Sequence, residues 1–422
     1  MPYFEYRQND LFCEEVPVAE LAEEYGTPLY VYSRNQILDN YKAIDGALAP
    51  IDHVTCYALK ANSNLGILKL LAEHGAGADV VSGGELFLAL KAGFPPEKIS
   101  FAGVGKREDE IEFALKEKIF SFNVESAQEL QLVSRIALRL QTTARILIRV
   151  NPDIDAQSHP YITTGLHSNK FGIDPANAME LLRQAITLPS IEVLGLHTHI
   201  GSQITKTEPF VATAKFLADF INRAREAGIR LSHIDFGGGF GVQYNGVLSH
   251  EAIPSEDSSP HLVPAPSEFI AAVLPILQQT GCTVWLEPGR SIVANAGILV
   301  TKVLYTKENS SKKFVVTDAG MTDLLRPSLY NAYHQVVPLK IETFEHEKVD
   351  VVGPICETGD FLARDRMLSK TKPGDGLALL TTGAYGFVNT SHYNARPRPA
   401  EILVNGERVR VVRPRETFED LL

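Results

Sequence analysis

The sequence predicts an α/β protein: a (β/α)8 TIM barrel plus a C-terminal β-rich domain, of sandwich or barrel-like form, that takes in the N-terminal strands. Three observations predict it. Between residues 54 and 290 a β-branched or aromatic run, a polar or glycine-rich junction and a helix-period segment recur eight times. The first four runs end at Lys60, Ser82, Val104 and Glu125, spaced 22, 22 and 21 residues apart, close to the minimum for one strand plus one helix. After Asn295 this alternation stops, and short runs separated by turns replace it.

The eight runs are Val54–Lys60, Ala78–Ser82, Ile99–Val104, Phe120–Glu125, Ala144–Asn151, Ile191–His199, Leu231–Gly237 and Thr283–Glu287. Helical spacing lies between them, as in Leu65, Leu68, Leu71 and Ala72. Alternating strands and helices require crossovers and hence a parallel sheet, and eight units in one uninterrupted series favour closure over an open doubly wound sheet. Further on, Gly297–Thr306, Lys313–Thr317, Val349–Val352 and Gly376–Leu380 read as strands. Ala400–Val404 and Glu407–Arg413 flank Asn405-Gly406, a hairpin signal. Tyr3–Tyr6 and Leu29–Tyr32 read as strands with no barrel helix between them. Both chain ends are therefore assigned to one β domain, 1–32 and 296–422, with the barrel, 33–295, inserted in it. Two irregular stretches remain. The one from 151 to 172 follows the fifth run and is expected to be a lid over the active face. The one from 246 to 266 reads as a solvated insertion without chemistry.

Composition narrows the function. The chain has 422 residues, 40 of them Lys or Arg and 51 Asp or Glu, for a net charge of −11. Apolar residues at 45% and charged residues at 22% belong to a globular enzyme rather than a disordered chain. The acidic balance argues against nucleic acid as the partner. No run of about 18 apolar residues points to a membrane span, and Met1–Glu14 lacks the apolar core of a signal peptide. Four cysteines without a C-x-x-C pair suggest neither a disulfide framework nor a zinc site, so a cytoplasmic setting is expected.

Active sites of such barrels lie where the strands end. Lys60 closes the first run, where partial desolvation would expose a neutral amine, the nucleophile that forms a Schiff base with an aldehyde; a lysine snorkelling to the rim is the other reading. The seventh run ends in Asp235-Phe236-Gly237-Gly238-Gly239-Phe240-Gly241. Glycines there let backbone N–H groups close on a phosphate, though a flexible turn would use them too. The eighth run ends in Glu287-Pro288-Gly289-Arg290. Arg290 suits an anion clamp, and Glu287 in the mouth needs a cationic partner, either a protonated pyridine nitrogen or Arg290 itself. The sixth run ends in His197-Thr198-His199-Ile200-Gly201-Ser202-Gln203. Two imidazoles on one face allow a metal pair, but no further ligand stands at metal spacing; stacking on an aromatic cofactor, with Ser202 donating to phosphate, fits better. Amine, phosphate cradle, carboxylate and imidazole together describe a site for pyridoxal 5′-phosphate, with no metal required.

At this constellation the chain resembles the diaminopimelate decarboxylase family, among the fold-type III pyridoxal-phosphate enzymes that also include ornithine and arginine decarboxylases. The resemblance covers residues 10 to 415. It rests on YALKAN at 57–62, ADVVSGGEL at 78–86, HTHIGSQ at 197–203, DFGGGFG at 235–241, EPGR at 287–290, DAGMTDLLRPSLY at 318–330, CETGD at 356–360 and AYGF at 384–387. It implies that Lys60 carries the cofactor, Glu287 pairs with the ring nitrogen and His199 stacks on the ring. Ser202, Gly238, Gly239, Gly289, Arg290 and Tyr385 would surround the phosphate. Arg290, Arg326 and Tyr330 would bind the distal carboxylate of meso-diaminopimelate, Glu357 its distal ammonium, and Tyr385 also the substrate. Cys356 would be the proton donor, on a loop that reaches the partner's site in a homodimer with shared active sites. The implied reaction is decarboxylation at the D-centre to L-lysine, the last step of lysine biosynthesis. Without the resemblance, Arg326 reads as a solvated or structural arginine and Cys356 as a small buried residue. The rival readings are a relative acting on another D-amino acid or a carrier-bound one, and a non-catalytic cofactor carrier or pseudoenzyme. Alanine racemase shares the architecture but has an arginine at the pyridine nitrogen, where this chain has Glu287.

Overall fold

The computed structural model describes residues 1–155, 164–165, 169–254 and 262–422. The expected lid and the 246–266 insertion thus lie in part outside the described residues. By its internal contacts the chain forms two compact units: Tyr41–Val242 with Val263–Ser291, and Met1–Asn40 with Gln243–Leu262 and Ile292–Leu422. Relative to the bounds expected from sequence, the segment from Gln243 groups with the β unit rather than with the barrel.

All eight expected runs form strands, and all pair in parallel in one closed barrel. They are His53–Ala58, Gly77–Val80, Ile99–Phe101, Ser121–Val124, Ala144–Arg149, Ile191–His197, His233–Asp235 and Thr283–Leu286. Closure comes where the eighth strand meets the first, with Val284, Trp285 and Leu286 in register with His53, Val54 and Thr55. Helices separate the early strands where the periodicity placed them, at Leu65–Glu73 and Gly83–Ala92, each opened by a side-chain cap from Asn64 and Ser82.

The strand period of two sorts the barrel interior into layers. Cys56, Phe120, Leu147, Leu194 and Trp285 form an apolar layer, in which the Phe120 and Trp285 rings stack at 4.0 Å. Two residues further along the strands the inward positions turn polar: Arg149 follows Leu147, and Glu287 follows Trp285. This second layer lies at the carboxyl ends, where barrel chemistry is done.

In the β unit, Leu29–Ser33 lies between Gly297–Glu308, antiparallel to it, and Ala400–Asn405, parallel to it. The first expected N-terminal strand forms at Phe4–Arg7, but in a separate three-stranded sheet with Asp10–Cys13 and Val16–Pro17. A helix, Val18–Tyr25, follows that sheet. Two further strands escaped the pattern. Val336–Pro338 is only three residues long. Phe361–Ser369 carries Arg364, Asp365 and Arg366 in its middle, where the ladder shifts register and Asp365 takes a positive φ of 50°; a bulge of charged residues hides the alternation. The Asn405-Gly406 hairpin forms as expected. Among the described residues no helix is long and apolar enough to cross a membrane.

Glu14 binds the small sheet to this unit. Buried, it accepts from Ser33 Oγ at 2.6 Å and Asn35 N at 3.0 Å through Oε1, and from Asn35 Nδ2 at 2.7 Å and Gly406 N through Oε2. Glu14→Ala leaves buried donors without an acceptor and should lower stability by about 1–3 kcal/mol. Urea unfolding measures this; an unchanged midpoint would show that the clamp contributes nothing.

Candidate active site

Lys60 lies just beyond the first barrel strand, in the 3-10 turn Leu59–Ala61. Gly289 lets the loop after the eighth strand rest on this turn, since a Cβ there would meet the Ala61 Cβ at 2.9 Å. The amine is partly buried and has an acidic partner that the sequence did not reveal. Its side chain is 35% exposed, and Nζ sits 3.0 Å from Oδ2 of Asp79, a fully buried carboxylate. Burial raises the Asp79 pKa, and the nearby Glu287 raises it further, against the opposing pull of Lys60.

Asp79 belongs to the polar layer. Asn123 crosses this layer, its Nδ2 donating to Ser100 Oγ at 3.0 Å, Asp235 Oδ2 at 3.2 Å and Glu287 Oε1 at 3.4 Å. Glu287 Oε2 stands 3.3 Å from His197 Nε2, both side chains almost fully buried. Burial pushes the Glu287 carboxyl up, but His197, Lys60 and Asp235 overcome it and hold it well below the usual carboxylate range. Asp235 goes the opposite way: burial and the charge of Glu287 push it up. His197, Asp235 and Glu287 bring ligand-type atoms within 4.8 Å of one another. His197 Nε2 and Glu287 Oε2 are already engaged with each other, which favours a proton-sharing group over a metal centre. It is His197, not His199, that joins this cluster.

His199 stands apart from it. Its Nδ1 accepts from the Gly238 N–H at 3.2 Å, so a neutral ring carries its hydrogen on Nε2. Burial, then Lys60 and Arg149, depress its pKa well below the ordinary imidazole value. The loops after strands six, seven and eight are tightly interleaved. Gly239 has a φ of +104°, and a Cβ there would lie 2.2 Å from the Gly201 oxygen. Beside them, Arg290 Nη2 donates to Ser202 Oγ at 3.0 Å, leaving the serine proton to point elsewhere.

These residues fit a phosphorylated pyridine aldehyde. Lys60 offers the amine, Glu287 a carboxylate for a protonated ring nitrogen, and His199 a neutral ring face. Arg290, Ser202 and the glycine loops offer a cradle for the phosphate. Sequence reasoning gave no role to Asp79 and Asp235, although both stand in motifs it quoted, and it passed over Asn123. It also missed a buried ion network at the same rim, where Arg149 pairs with Glu125 at 2.8 Å and Lys106 with Glu129 at 2.7 Å.

The remaining expected residues lie in the β unit. Arg326 and Tyr330 begin and end the short helix Arg326–Tyr330. Ser328 Oγ donates to the Gly359 oxygen at 2.6 Å, tying this helix to the loop of Cys356 and Glu357. Asp360 fixes the same loop by accepting from the Met321 and Ile355 N–H groups at 2.6 and 2.7 Å. Cys356 and Glu357 are exposed, which excludes the core-filler reading of the cysteine. Tyr385 holds a left-handed φ of 57°, and its carbonyl accepts from Asn389 Nδ2 at 3.0 Å.

Comparison with known proteins agrees with this chemistry. Residues 34–294 match the model of the pyridoxal-dependent decarboxylase, pyridoxal binding domain. A diaminopimelate decarboxylase of Aquifex aeolicus is 47% identical, the match covering 99% of this chain and 96% of the relative. The chain belongs to the diaminopimelate decarboxylase family. Among solved structures, the diaminopimelate decarboxylase of Helicobacter pylori complexed with L-lysine is 43% identical, with a TM-score of 0.89 over 96% of this chain and 98% of the other. That of M. jannaschii in complex with L-lysine is 38% identical, with a TM-score of 0.91 over 99% and 96%.

Glu85, in the first turn of the helix after strand two, accepts from the Val81 N–H at 2.8 Å. Burial, reinforced by Asp79, pushes its carboxyl from 4.5 up to about 7. The folded state therefore binds this proton more tightly than the unfolded chain, and the contribution to stability falls as pH rises between those values. Glu85→Gln should flatten the fall of the unfolding temperature across that window and leave the variant the more stable protein above it. Equal slopes for the two proteins would refute the raised carboxyl.

Proposed function

We propose that this chain decarboxylates meso-2,6-diaminopimelate at its D-centre, releasing carbon dioxide and L-lysine, with pyridoxal 5′-phosphate as its cofactor. The observation that carries the reading is full-length likeness to diaminopimelate decarboxylases, two of them solved with L-lysine bound, in a chain whose barrel holds an amine, a buried anionic carboxylate and an anion cradle. When bound, the cofactor supplies a sink for the electron pair that carbon dioxide leaves behind.

The protein's own groups do the rest. Lys60 would hold the cofactor through its amine and would serve again in releasing the product. Glu287 would pair with a protonated ring nitrogen, and His199 would offer its neutral ring as a stacking face. Ser202, Gly238, Gly239, Gly289, Arg290 and Tyr385 would hold the phosphate. Arg290, Arg326 and Tyr330 take the distal carboxylate, Glu357 takes the distal ammonium, and Tyr385 also contacts substrate. A far end that is a zwitterion needs donors and an acceptor together, since burying one charge without its partner is costly. Cys356 gives the α-carbon its proton. The working unit is a homodimer with shared active sites, in which the loop of Cys356 serves the partner, and its setting is cytoplasmic lysine biosynthesis.

Carbon dioxide release from meso-diaminopimelate, with and without added cofactor, tests the activity, with D-lysine and D-ornithine as alternative substrates. Release from either alternative and not from meso-diaminopimelate would move the reading to another D-amino acid. Lys60→Ala should lose the visible absorbance of bound cofactor; a coloured variant that borohydride labels at another lysine would remove Lys60 from its role. Cys356→Ala should slow product formation or misplace the proton. An unchanged rate and an unchanged product in deuterium oxide would leave the thiol without function.

A further inference from the structure

We propose that His334 is a positioning residue, a neutral imidazole that, with the Tyr244 ring, fixes the direction of the Arg326 guanidinium toward the distal carboxylate of the substrate. This rests on the reading of Arg326 given above and adds the means by which that arginine is aimed.

Arg326 is buried, which makes it costly to place unless its donors are met. Its Nη1 donates to His334 Nε2 at 2.8 Å, and its guanidinium carbon lies 4.7 Å from the Tyr244 ring centre. The geometry fixes the protonation of the imidazole. A guanidinium has only donors, so Nε2 must present its lone pair. Nδ1 stands 2.9 Å from the Leu380 carbonyl oxygen, which has no proton to give, so Nδ1 carries the hydrogen. Both nitrogens are thereby assigned, and the ring is uncharged.

The ring itself is held. His334 is fully buried, the Tyr244 ring meets it edge-on at 5.3 Å and 86°, and its carbonyl accepts from Arg366 Nη1 at 3.0 Å. The strand Val336–Pro338 begins two residues later and carries this anchor into the sheet. The choice of partner matters chemically. A carboxylate in the place of the imidazole would orient Arg326 equally well, but it would also compete with an incoming carboxylate for the cation. An imidazole with this hydrogen placement orients the fork and leaves its positive charge in place.

The test uses the holoenzyme and compares ligands that differ at one group. L-Lysine keeps the distal carboxylate, and 1,5-diaminopentane lacks it. His334→Phe should raise KM for meso-diaminopimelate and weaken inhibition by L-lysine by about tenfold or more, with kcat and inhibition by 1,5-diaminopentane little changed. In an Arg326→Ala background the same substitution should add nothing, and His334→Gln, which restores an acceptor, should recover part of the loss. Tyr244→Leu should show the same ligand selectivity, and it carries the test if His334→Phe does not fold. Equal weakening of both inhibitors, or additivity in the Arg326→Ala background, would overturn the positioning role. A normal KM for His334→Phe and Tyr244→Leu beside a raised one for Arg326→Ala would overturn it too, leaving Arg326 in its place. If Arg326→Ala itself bound meso-diaminopimelate and L-lysine normally, the underlying reading of Arg326 would fall instead.

Discussion

Three carboxylates share one water-poor layer of the barrel, and the active end is arranged around keeping them there. Asp79, Asp235 and Glu287 are all buried. Isolated anions in such a place would be prohibitively costly, so each is met differently. Asp79 meets the Lys60 amine. Glu287 meets the His197 ring. Asp235 accepts from the Gly237 N–H, while burial and the charge of Glu287 push its carboxyl up. Asn123 stitches the last two together from across the barrel. The apolar layer beneath, built on Phe120 and Trp285, keeps the region dry and makes these compensations obligatory.

The β unit solves a different problem. Its motif residues stand on loops, where backbone groups lack a ladder to pair with. Side chains supply the missing partners. Asp360 accepts two backbone N–H groups, Ser328 reaches the Gly359 carbonyl, and the Cys356 N–H finds Asn394 Oδ1 at 2.9 Å. The helix bearing Arg326 and the loop bearing Cys356 are thus set relative to each other, although they are separate in sequence. An exposed thiol on a braced loop is accessible and still ordered.

The barrel was legible because its signals are local and repeated. Each strand announces itself by β-branched residues, and the polar residue at each strand end by contrast, as at Lys60 or Ser202. What lies one pleat lower was not legible. Asp79 stands between Ala78 and Val80, and Asp235 between Ile234 and Phe236. An acid in an apolar strand reads as an ordinary surface alternation until closure shows that its side of the strand faces inward. The ion partner of Lys60 was hidden for the same reason, because Asp79 comes from the neighbouring strand. In the β unit, the charges at Arg364–Arg366 broke the pattern of a strand that pairs despite them. His334 gave no signal at all. Its meaning lies in two hydrogen bonds, one of them to the Leu380 carbonyl, 46 residues away.

The direction in which each acid shifts has a consequence for the ring that the site fits. Glu287 and Asp235 face each other, and one proton between them can settle on either. His197 and Lys60 favour charge on Glu287, whereas burial and that charge push Asp235 up, and the donors that meet it, the Gly237 N–H and Asn123 Nδ2, are uncharged. The negative charge is therefore favoured on the residue that follows the eighth strand, close in sequence to Gly289 and Arg290. An arginine there would repel a protonated ring nitrogen; an anion stabilises it. His199 completes the division, since burial with Lys60 and Arg149 nearby keeps it uncharged. A charged imidazole beside the proposed cofactor site would compete with an electron sink, and a neutral one does not. The charge pattern at this end of the barrel is thus set by Glu287, Asp235, His197 and His199 together with the Lys60 amine.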